Sequence, residues 1–397
     1  MHAYFRVDTK QGMETECRPV AMERYLKLPI ARDLTEKMVI VAGPRQVGKT
    51  TLALSLLASG NESHPAYLSW DALPARRMLL RGELPANQPL ILLDEIHKYR
   101  GWRNLVKGLY DTNKSQRRFL ITGSARLDHY RRGGDSLQGR YHFHRLHPLS
   151  LPELGTEGSR EALAQLLEFG GFPEPFLKAE RRHWLRWQRE RLARVIHEDL
   201  VSLERVKEVS QLDLLASVLP DRVGSPLSVN NLRQDLSVAF ETVDRWISIL
   251  ENLYVCFRIS PHGLPKLRAA TKEKKLYLWD WSLCEDPAAR FENLVAANLL
   301  KYCHWIEDNE GEPMELRFLR DAARREIDFV VVRGRKPIFA VECKTGERDL
   351  SRNIAYFAAR TSIPLFYQVH LGTKDVEIAT ARARILPFAR LAAILAV

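Results

Sequence analysis

The segment "MVIVAGPRQVGKTT" constrains the fold of this chain more than any other segment. Its five apolar-rich residues ending at Ala42 predict a buried parallel strand, and "TTLALSLLAS" predicts the helix that follows. Between them lies the pattern GxxxxGK[ST], in which Gly43 and Gly48 let the backbone wrap with its N–H groups pointing inward. Lys49 would reach the β and γ phosphates of a nucleotide, and the Thr50 hydroxyl would ligate magnesium.

Nine consecutive residues of this segment are expected to surround the nucleotide. They are Gly43, Pro44, Arg45, Gln46, Val47, Gly48, Lys49, Thr50 and Thr51. A chance glycine turn is the alternative, but the strand before the segment and the helix after it favour a nucleotide site.

The segment "QPLILLDEIHK" predicts a second buried strand that ends in two acids. Asp94 and Glu95 follow four apolar residues, an arrangement that resembles a Walker B motif. Asp94 would hold magnesium through water, and Glu95 would polarise the water that attacks ATP. Without the phosphate-binding loop, the same pair would be interpreted as a helix N-cap.

Two further segments supply candidate catalytic residues for ATP hydrolysis. "RRFLITGSARL" predicts a third strand, after which AAA-type ATPases carry a residue that senses the γ-phosphate; Ser124 is the first candidate and Thr122 the second. Arg140 lies just before a further strand, where AAA-type proteins often present an arginine finger to a neighbouring subunit. A surface arginine or an ion pair is the alternative for Arg140.

These motifs, together with "GGFPEP", "KLYLWD" and a C-terminal acidic cluster, resemble those of the bacterial and archaeal AAA-like ATPases that carry a C-terminal domain of unknown function. The resemblance covers nearly the whole chain. It implies an α/β AAA-like P-loop ATPase core at residues 20–155, after an N-terminal tail of residues 1–19. It also implies a homo-oligomer that uses ATP with Mg²⁺.

Residues 156–208 are expected to form a helical lid, because the alternation of strands and helices stops and "FGGFPEP" breaks the helices. One predicted helix, "RRHWLRWQRERLAR", presents arginines on one side that would contact a DNA backbone. These arginines are Arg182, Arg186 and Arg189. Trp184 or Trp187 would stack on a base, unless both tryptophans face the core and the arginines form a solvated face.

Residues 209–265 are expected to form a winged helix-turn-helix. The segment predicts a short helix capped by Ser228, a turn near Val238, a longer helix from about Thr242 and then a strand. The residues that would begin the recognition helix are Glu241, Thr242, Asp244 and Arg245. Two of them are acidic, which disfavours entry into a DNA groove and leaves a packing module as the alternative.

The segments "EIDFVVV" and "IFAVECK" predict a β-hairpin closed by the five residues "RGRKP". That loop would pair Val332 with Ile338 and therefore Asp328 with Glu342. Alternation along the second strand places Lys344 on the same face as Glu342. Opposed carboxylates repel each other unless a cation lies between them, so this register predicts a divalent metal site.

The pattern D…ExK resembles the core of the PD-(D/E)XK nuclease superfamily, in which the acids bind magnesium and the lysine orients or activates water. The resemblance implies an α/β nuclease-like domain at residues 266–397, with Mg²⁺ or Mn²⁺ on Asp328 and Glu342 and with Lys344 as the catalytic lysine. Glu292, on a predicted helix before the hairpin, would be an additional metal ligand. Arg324 and Arg325 would steer DNA toward the site, and a degenerate fold that only binds is the alternative.

Composition sets the remaining expectations. The length of 397 residues and the 45% hydrophobic content predict a globular protein of two to four domains. The net charge of +11 would attract a polyanion such as DNA. Five scattered cysteines imply neither a disulfide framework nor zinc. The sequence has no signal-peptide pattern and no bilayer-spanning apolar run, so a cytoplasmic location without a membrane partner is expected.

Three functions remain open. The first is an ATP-dependent DNA-processing protein, in which hydrolysis drives binding or remodelling of DNA and the C-terminal domain cuts it; the family resemblance permits branched DNA as the substrate. The second is a nucleotide-dependent switch or scaffold whose nuclease-like domain only binds. The third is a protein-remodelling ATPase, for which no aromatic-glycine pore loop is evident in the sequence.

Overall fold

Two β-sheets organise the chain. The computed structural model describes residues 22–58, 60–123, 137–155, 159–200, 208–263 and 274–397. Within these ranges the first sheet has five strands and the second has eight. The predicted α/β fold is confirmed for the first sheet, which is entirely parallel.

The first sheet has the strand order β2-β3-β4-β1-β5. Its strands are β1 (Met38–Ala42), β2 (Tyr67–Ser69), β3 (Leu90–Asp94), β4 (Arg118–Gly123) and β5 (Tyr141–Arg145). The helices of this part are α1 (Lys27–Asp33), α2 (Lys49–Leu54), α3 (Leu73–Leu80) and α4 (Trp102–Asn113). β1 lies between β4 and β5 and is buried at all five positions, which is why its sequence is continuously apolar.

The alternation of side chains along β1 builds a three-layer domain. Met38 and Ile40 pack in one core with α3 and α4. Val39 and Val41 pack in a second core with α1 and α2. The phosphate-binding loop therefore follows a strand that is fixed from both faces.

Helices fill the middle of the described chain. They are α5 (Arg160–Phe169), α6 (Pro173–Lys178), α7 (Arg181–Arg194), α8 (Val209–Val218), α9 (Val229–Leu236) and α10 (Phe240–Asn252). The break predicted at "GGFP" separates α5 from α6, since α5 ends at Phe169 and α6 begins at Pro173. A π-helix, Val195–Leu200, continues α7.

Both tryptophans of α7 have structural roles. Trp187 is 3% exposed and packs against Phe172, with ring centroids 5.2 Å apart. Trp184 donates a hydrogen bond from Nε1 to the Ser282 hydroxyl at 3.0 Å. Both contacts agree with the alternative in which the tryptophans face the protein.

The second sheet has the order β12-β13-β11-β10-β9-β8-β6-β7. Its strands are β6 (Cys256–Pro261), β7 (Lys275–Leu278), β8 (Met314–Arg320), β9 (Glu326–Arg333), β10 (Lys336–Cys343), β11 (Phe366–His370), β12 (Val376–Ile378) and β13 (Ala383–Pro387). The helices are α11 (Pro287–Glu310), α12 (Arg352–Ala358) and α13 (Phe388–Leu395). Helix α11 contacts β8, β9 and β10, and it also contacts β5 of the first sheet.

The winged helix-turn-helix is not confirmed. α9 and α10 form, and Ser228 caps α9 by accepting a hydrogen bond from the Asn231 N–H at 3.3 Å. However, β6 pairs with β7 and β8, so it belongs to the C-terminal sheet instead of forming a wing. The boundary expected at residue 265 thus falls between two paired strands. Asp244, expected on a recognition helix, forms an ion pair with Arg258 of β6 at 2.7 Å.

The β9–β10 hairpin turns earlier than expected. Its loop contains two residues, 334–335, and Gly334 takes the positive φ of +63°. An irregularity near the start of β10 then shifts the pairing, so that Val341 lies opposite Phe329. Continued by one residue, this register would place Asp328 opposite Glu342. The predicted five-residue loop is wrong, and the apposition of the two acids stays a prediction with which this register agrees.

A buried ion cluster, the Arg24–Glu153–Lys301 triad, joins the first sheet to α11. Arg24 Nε lies 2.7 Å from Glu153 Oε1, and the Lys301 ammonium contacts the other oxygen of the same carboxylate. Arg24 also donates from Nη1 to the Val47 carbonyl in the phosphate-binding loop at 2.7 Å. Burial opposes the charge of Glu153, but Arg24 and Lys301 outweigh it and lower the pKa of Glu153 to about 2.

Further polar contacts join the end of β5 and the residues after it to α11, beside the triad. Arg145, the last residue of β5, binds Asp308 of α11 at 2.7 Å and Glu307 at 2.7 Å. His147 and His304 are joined through ring nitrogens 2.8 Å apart. The two sheets therefore meet through specific polar contacts along one face of α11.

We expect Glu153→Gln to lower the free energy of unfolding by about 3 kcal/mol, because it leaves two buried cations without their carboxylate. Urea denaturation followed by fluorescence measures this change. Glu23→Gln is the control: its carboxylate is 62% exposed and pairs with Lys27 at 3.3 Å, so its loss is expected to change little. Equal destabilisation by the two substitutions would contradict a special role for the triad.

Candidate functional site

The phosphate-binding loop has the backbone that its glycines predict. Gly48 adopts φ +95° directly before α2, and Gln46 also has a positive φ of +65°. A Cβ at Gly43 would collide with the Leu146 carbonyl oxygen. These constraints hold the loop open at the N-terminus of a helix, where backbone N–H groups favour an anion.

Lys49 lies inside this loop. Its side chain is 7% exposed, and Nζ donates to the carbonyl oxygens of Gly43 at 3.0 Å and Pro44 at 2.7 Å. The loop carbonyls thus position a cation at the centre of the predicted phosphate site.

Asp94 lies at the end of β3, and its carboxylate accepts hydrogen bonds from three hydroxyl groups. Asp94 Oδ2 accepts from Thr50 at 2.9 Å and from Tyr67 at 2.8 Å, and Oδ1 accepts from Thr122. The two expected magnesium ligands, Thr50 and Asp94, are therefore side by side. Thr122, the second candidate for a phosphate sensor, binds Asp94 in this structure; Ser124, the first candidate, lies outside the described residues.

Tyr67 is a site residue that the sequence analysis missed. It belongs to β2, which is the neighbour of β3, and burial followed by the charge of Asp94 raises its pKa. A single tyrosine in the short segment "AYLSW" carries no recognisable pattern. Only the strand order brings it to the Asp94 carboxylate.

Glu95 and α6 line a common cleft. Glu95 takes the left-handed conformation, with φ +56°, and its side chain is 28% exposed. It lines a cleft of about 440 Å³ together with Lys49 and Thr50, and α6 contributes Pro173 and Glu174 to the opposite wall. The cleft between the loop, the acidic strand end and α6 is within the size range of small-molecule sites.

Arg140 forms an ion pair within its own chain. Its Nε and Nη2 atoms donate to the two oxygens of Asp111 on α4 at 2.9 and 3.1 Å. The position before β5 is as expected. Action as an arginine finger stays a prediction, and it requires that this exposed pair open.

A second polar site lies where β9, β10 and α11 meet. Asp328 Oδ2 accepts a hydrogen bond from the N–H of Cys343, the residue after Glu342, and Lys344 Nζ lies 2.9 Å from Glu342 Oε1. Burial, followed by repulsion from Asp328, raises the pKa of Glu342 to about 7. The same two causes raise the pKa of Glu292 to about 7. The structure thus brings all four predicted residues of this site into one region.

The second site also contains residues that the sequence analysis did not single out. Lys275 of β7 is 1% exposed, and its Nζ lies 2.5 Å from Glu326 and 3.4 Å from Glu292. The Tyr277 hydroxyl donates to Glu292 Oε1 at 2.7 Å. Burial opposes the charge of Lys275, but the surrounding carboxylates outweigh it and raise its pKa.

No three His, Cys, Asp or Glu side chains in the described ranges are grouped so that they could hold a metal ion. Glu342 nevertheless offers an oxygen that could bind a metal ion. The residue is 3% exposed, and its Oε2 atom has no hydrogen-bond partner. A buried carboxylate oxygen without a partner is destabilising unless a cation or a proton satisfies it. Two carboxylates suffice where a substrate phosphate and water complete the shell of Mg²⁺.

The expected DNA contacts lie on the surface. Arg182, Arg186 and Arg189 are all exposed on α7. Arg324 and Arg325 are exposed in the turn between β8 and β9. Arg325 is already engaged, since Nε binds Asp321 at 2.8 Å and the guanidinium lies 3.9 Å from the centre of the Tyr356 ring.

Three family models match successive parts of the chain. Residues 35–155 match an AAA domain. This part of the chain is an AAA-like P-loop ATPase domain. Residues 160–290 match the domain of unknown function DUF8612, and residues 288–391 match the domain of unknown function DUF4143.

Relatives with curated sequences extend beyond the ATPase domain. An uncharacterized protein of Mycobacterium tuberculosis is 26% identical over 247 residues, which cover 62% of this chain and 55% of that protein. The chain thus spans about half the length of that relative and of its equivalent in Mycobacterium bovis. An uncharacterized protein of Methanocaldococcus jannaschii is 22% identical over 364 residues, with 82% of this chain and 80% of that protein covered.

Similar solved structures include the Holliday junction branch migration motor RuvB of Thermotoga maritima. Its TM-score to this chain is 0.31 and its sequence identity is 16%. The aligned region covers 62% of this chain and 93% of the RuvB chain. A DNA replication initiation factor has a TM-score of 0.28 and 17% identity to this chain. The aligned region covers 57% of this chain and 85% of the factor. Among the helices of the described segments, none is long and apolar enough to cross a membrane.

We expect Lys49→Ala to reduce ATP turnover by about 100-fold or more, because it removes the cation that would contact the β and γ phosphates. Glu95→Gln is expected to retain ATP binding but to lose a comparable factor in turnover, since the amide cannot polarise water as the carboxylate does. Phosphate release and binding of a fluorescent ATP analogue measure the two quantities.

The control for these substitutions is Lys114→Ala, which removes an exposed lysine from the same domain and leaves the cleft unchanged. Wild-type turnover in Lys49→Ala would contradict the assignment of the loop as the nucleotide site.

Proposed function

We propose that this chain is an ATP-dependent DNA-processing protein, in which the AAA-like domain binds and hydrolyses Mg-ATP and the C-terminal domain cleaves phosphodiester bonds. The observation that carries the proposal is the buried connection between the two sites. Arg24 binds the phosphate-binding loop, and Lys301, on the other side of Glu153, belongs to the helix that also carries Glu292.

The first site fits ATP with Mg²⁺. Thr50 and Asp94 would hold the ion, which when bound would neutralise phosphate charge. Lys49 would contact the β and γ phosphates, and Glu95 would orient the attacking water from the open side of the cleft. Tyr67 and Thr122 hold the Asp94 carboxylate in place through their hydroxyls.

The second site fits a divalent ion bound by two carboxylates. Asp328 and Glu342 would hold Mg²⁺ or Mn²⁺, which when bound would act as a Lewis acid and lower the pKa of a coordinated water. The unpartnered Glu342 Oε2 supports this assignment. Lys344, which is 31% exposed, would orient water or contact the scissile phosphate while its ammonium stays near Glu342.

Helix α11 provides a rigid link between the sites. Lys301 follows Glu292 by nine positions, which corresponds to about 14 Å along a helix. A shift of the loop on ATP binding or hydrolysis would move Arg24 and the triad, and the helix would carry that movement to Glu292. This supports an ATP-gated C-terminal site in preference to two independent activities.

DNA as the substrate is supported by charge. The net charge of +11 favours a polyanion, and the exposed arginines of α7 lie on the helix whose Trp187 packs on the ATPase domain. The proposed assembly is a homo-oligomer in which Arg140 exchanges Asp111 for the nucleotide of a neighbouring subunit. Branched DNA is the substrate form that we propose to test first.

A second candidate function is a nucleotide-dependent switch whose C-terminal domain binds without cutting. One observation favours it: Lys275 already neutralises part of the acidic cluster. Such a domain would need neither Lys344 nor a bound ion.

The deciding experiment incubates the protein with labelled linear, forked and four-way-junction DNA in Mg²⁺ or Mn²⁺, with and without ATP. We expect cleavage that falls by about 100-fold or more in a Glu342→Ala/Lys344→Ala variant, because the variant lacks a metal ligand and the lysine beside it. ATP turnover should be stimulated by DNA and lost in Lys49→Ala. ATP turnover without cleavage under either metal would favour the switch.

The coupling is tested by Lys301→Met, which removes the ammonium from the triad but leaves both sites unchanged. We expect basal ATP turnover to persist while the dependence of cleavage on ATP is lost, because α11 no longer follows the loop. Cleavage rates with and without ATP measure this dependence. Lys336→Met, at an exposed position of β10, is the matched control. Intact ATP dependence in Lys301→Met would contradict transmission through the triad.

A further inference from the structure

The acidic cluster of the C-terminal sheet contains a cation of its own. Lys275 Nζ lies 2.5 Å from Glu326, 3.4 Å from Glu292 and 3.8 Å from Asp328. The lysine is 1% exposed, so its ammonium is stabilised by these carboxylates and hardly at all by solvent. Lys275 and the three acids therefore form one charge-compensated unit.

Glu292 is held in this unit through its Oε1 atom. Its Oε1 atom accepts hydrogen bonds from the Tyr277 hydroxyl at 2.7 Å and from Lys275 at 3.4 Å. Its carboxylate also lies against Gly224, where an added Cβ would come within 3.1 and 3.2 Å of the two oxygens. Gly224 therefore limits movement of the Glu292 side chain on that side.

Glu342 differs from Glu292 in having a buried oxygen without a hydrogen-bond partner. Its Oε1 atom accepts from Lys344 at 2.9 Å and Ser351 at 3.3 Å, whereas its buried Oε2 atom has no hydrogen-bond partner. The Cys343 N–H orients Asp328 by donating to Oδ2 at 2.8 Å. The buried oxygen that could bind a further cation is thus Glu342 Oε2, on the β10 side of the cluster.

We propose that Lys275 is a fixed positioning residue of this site, which keeps Glu292 and Glu326 out of metal coordination and confines the site to one divalent ion on Asp328 and Glu342. This inference rests on the proposed function and deepens it at the second site. A second divalent ion on Glu292 would lie beside the buried ammonium, where repulsion is poorly screened. The expectation that Glu292 is a metal ligand is replaced by a role in holding Lys275.

The test titrates the full chain with Mn²⁺ by isothermal calorimetry without nucleotide. An Asp94→Asn background removes the acid of the first site from the measurement. We expect one Mn²⁺ per chain. Glu342→Gln should weaken binding by about tenfold or more, as loss of a metal-site group does. Glu292→Gln should change it by about threefold or less, as loss of a nearby charge does.

The stoichiometry separates positioning from a general structural role. Lys275→Met removes the positive charge but keeps a side chain of similar length. This variant should bind a second Mn²⁺ per chain. A Lys275→Met/Glu326→Gln variant preserves the net charge and serves if the single variant does not fold. If both are insoluble, the comparison of Glu292→Gln with Glu342→Gln decides alone.

Three results would overturn this inference. Loss of Mn²⁺ binding in Glu292→Gln equal to that in Glu342→Gln would make Glu292 a ligand, and the proposed nuclease function would stand. One Mn²⁺ with unchanged affinity in soluble Lys275→Met would show that the ammonium excludes nothing. No Mn²⁺ binding by the parent chain, together with no DNA cleavage, would overturn both this inference and the proposed nuclease.

Discussion

The Arg24–Glu153–Lys301 triad is the interaction on which the arrangement of the two sheets depends. One carboxylate that is 3% exposed binds two cations, one beside the phosphate-binding loop and one on α11. Burial makes each of these charges costly alone, so the two parts of the chain must meet for any of them to be satisfied. The same requirement that stabilises the interface also connects the nucleotide site to the C-terminal sheet.

The two sites satisfy buried acids in different ways, and the difference bears on what each can bind. Asp94 is surrounded by the neutral hydroxyls of Thr50, Tyr67 and Thr122, so its negative charge stays available to a metal ion. The C-terminal cluster uses the charge of Lys275, and Glu342 carries a buried oxygen without a hydrogen-bond partner. A hydroxyl shell favours a cation, whereas an internal ammonium competes with one.

Local patterns predicted the parts of the fold that are local. The strand before Gly43, the acids after β3 and the β9–β10 hairpin follow from spacing and alternation, because each is specified by neighbouring residues. Lys275 and Tyr67 were missed because their partners lie on other strands. The pairing of β6 was missed for the same reason, since β6 pairs with β8, which begins more than fifty residues later.

The link from the loop to α11 is suited to transmitting position instead of charge. Arg24 contacts the Val47 carbonyl, so it follows the backbone of the loop. Burial lowers the pKa of Lys301 to about 8 even with Glu153 beside it, so the lysine would remain mostly charged at neutral pH. Because opening the triad would expose unpaired buried charges, a loop that moved would carry the triad with it, and α11 would follow as a rigid element.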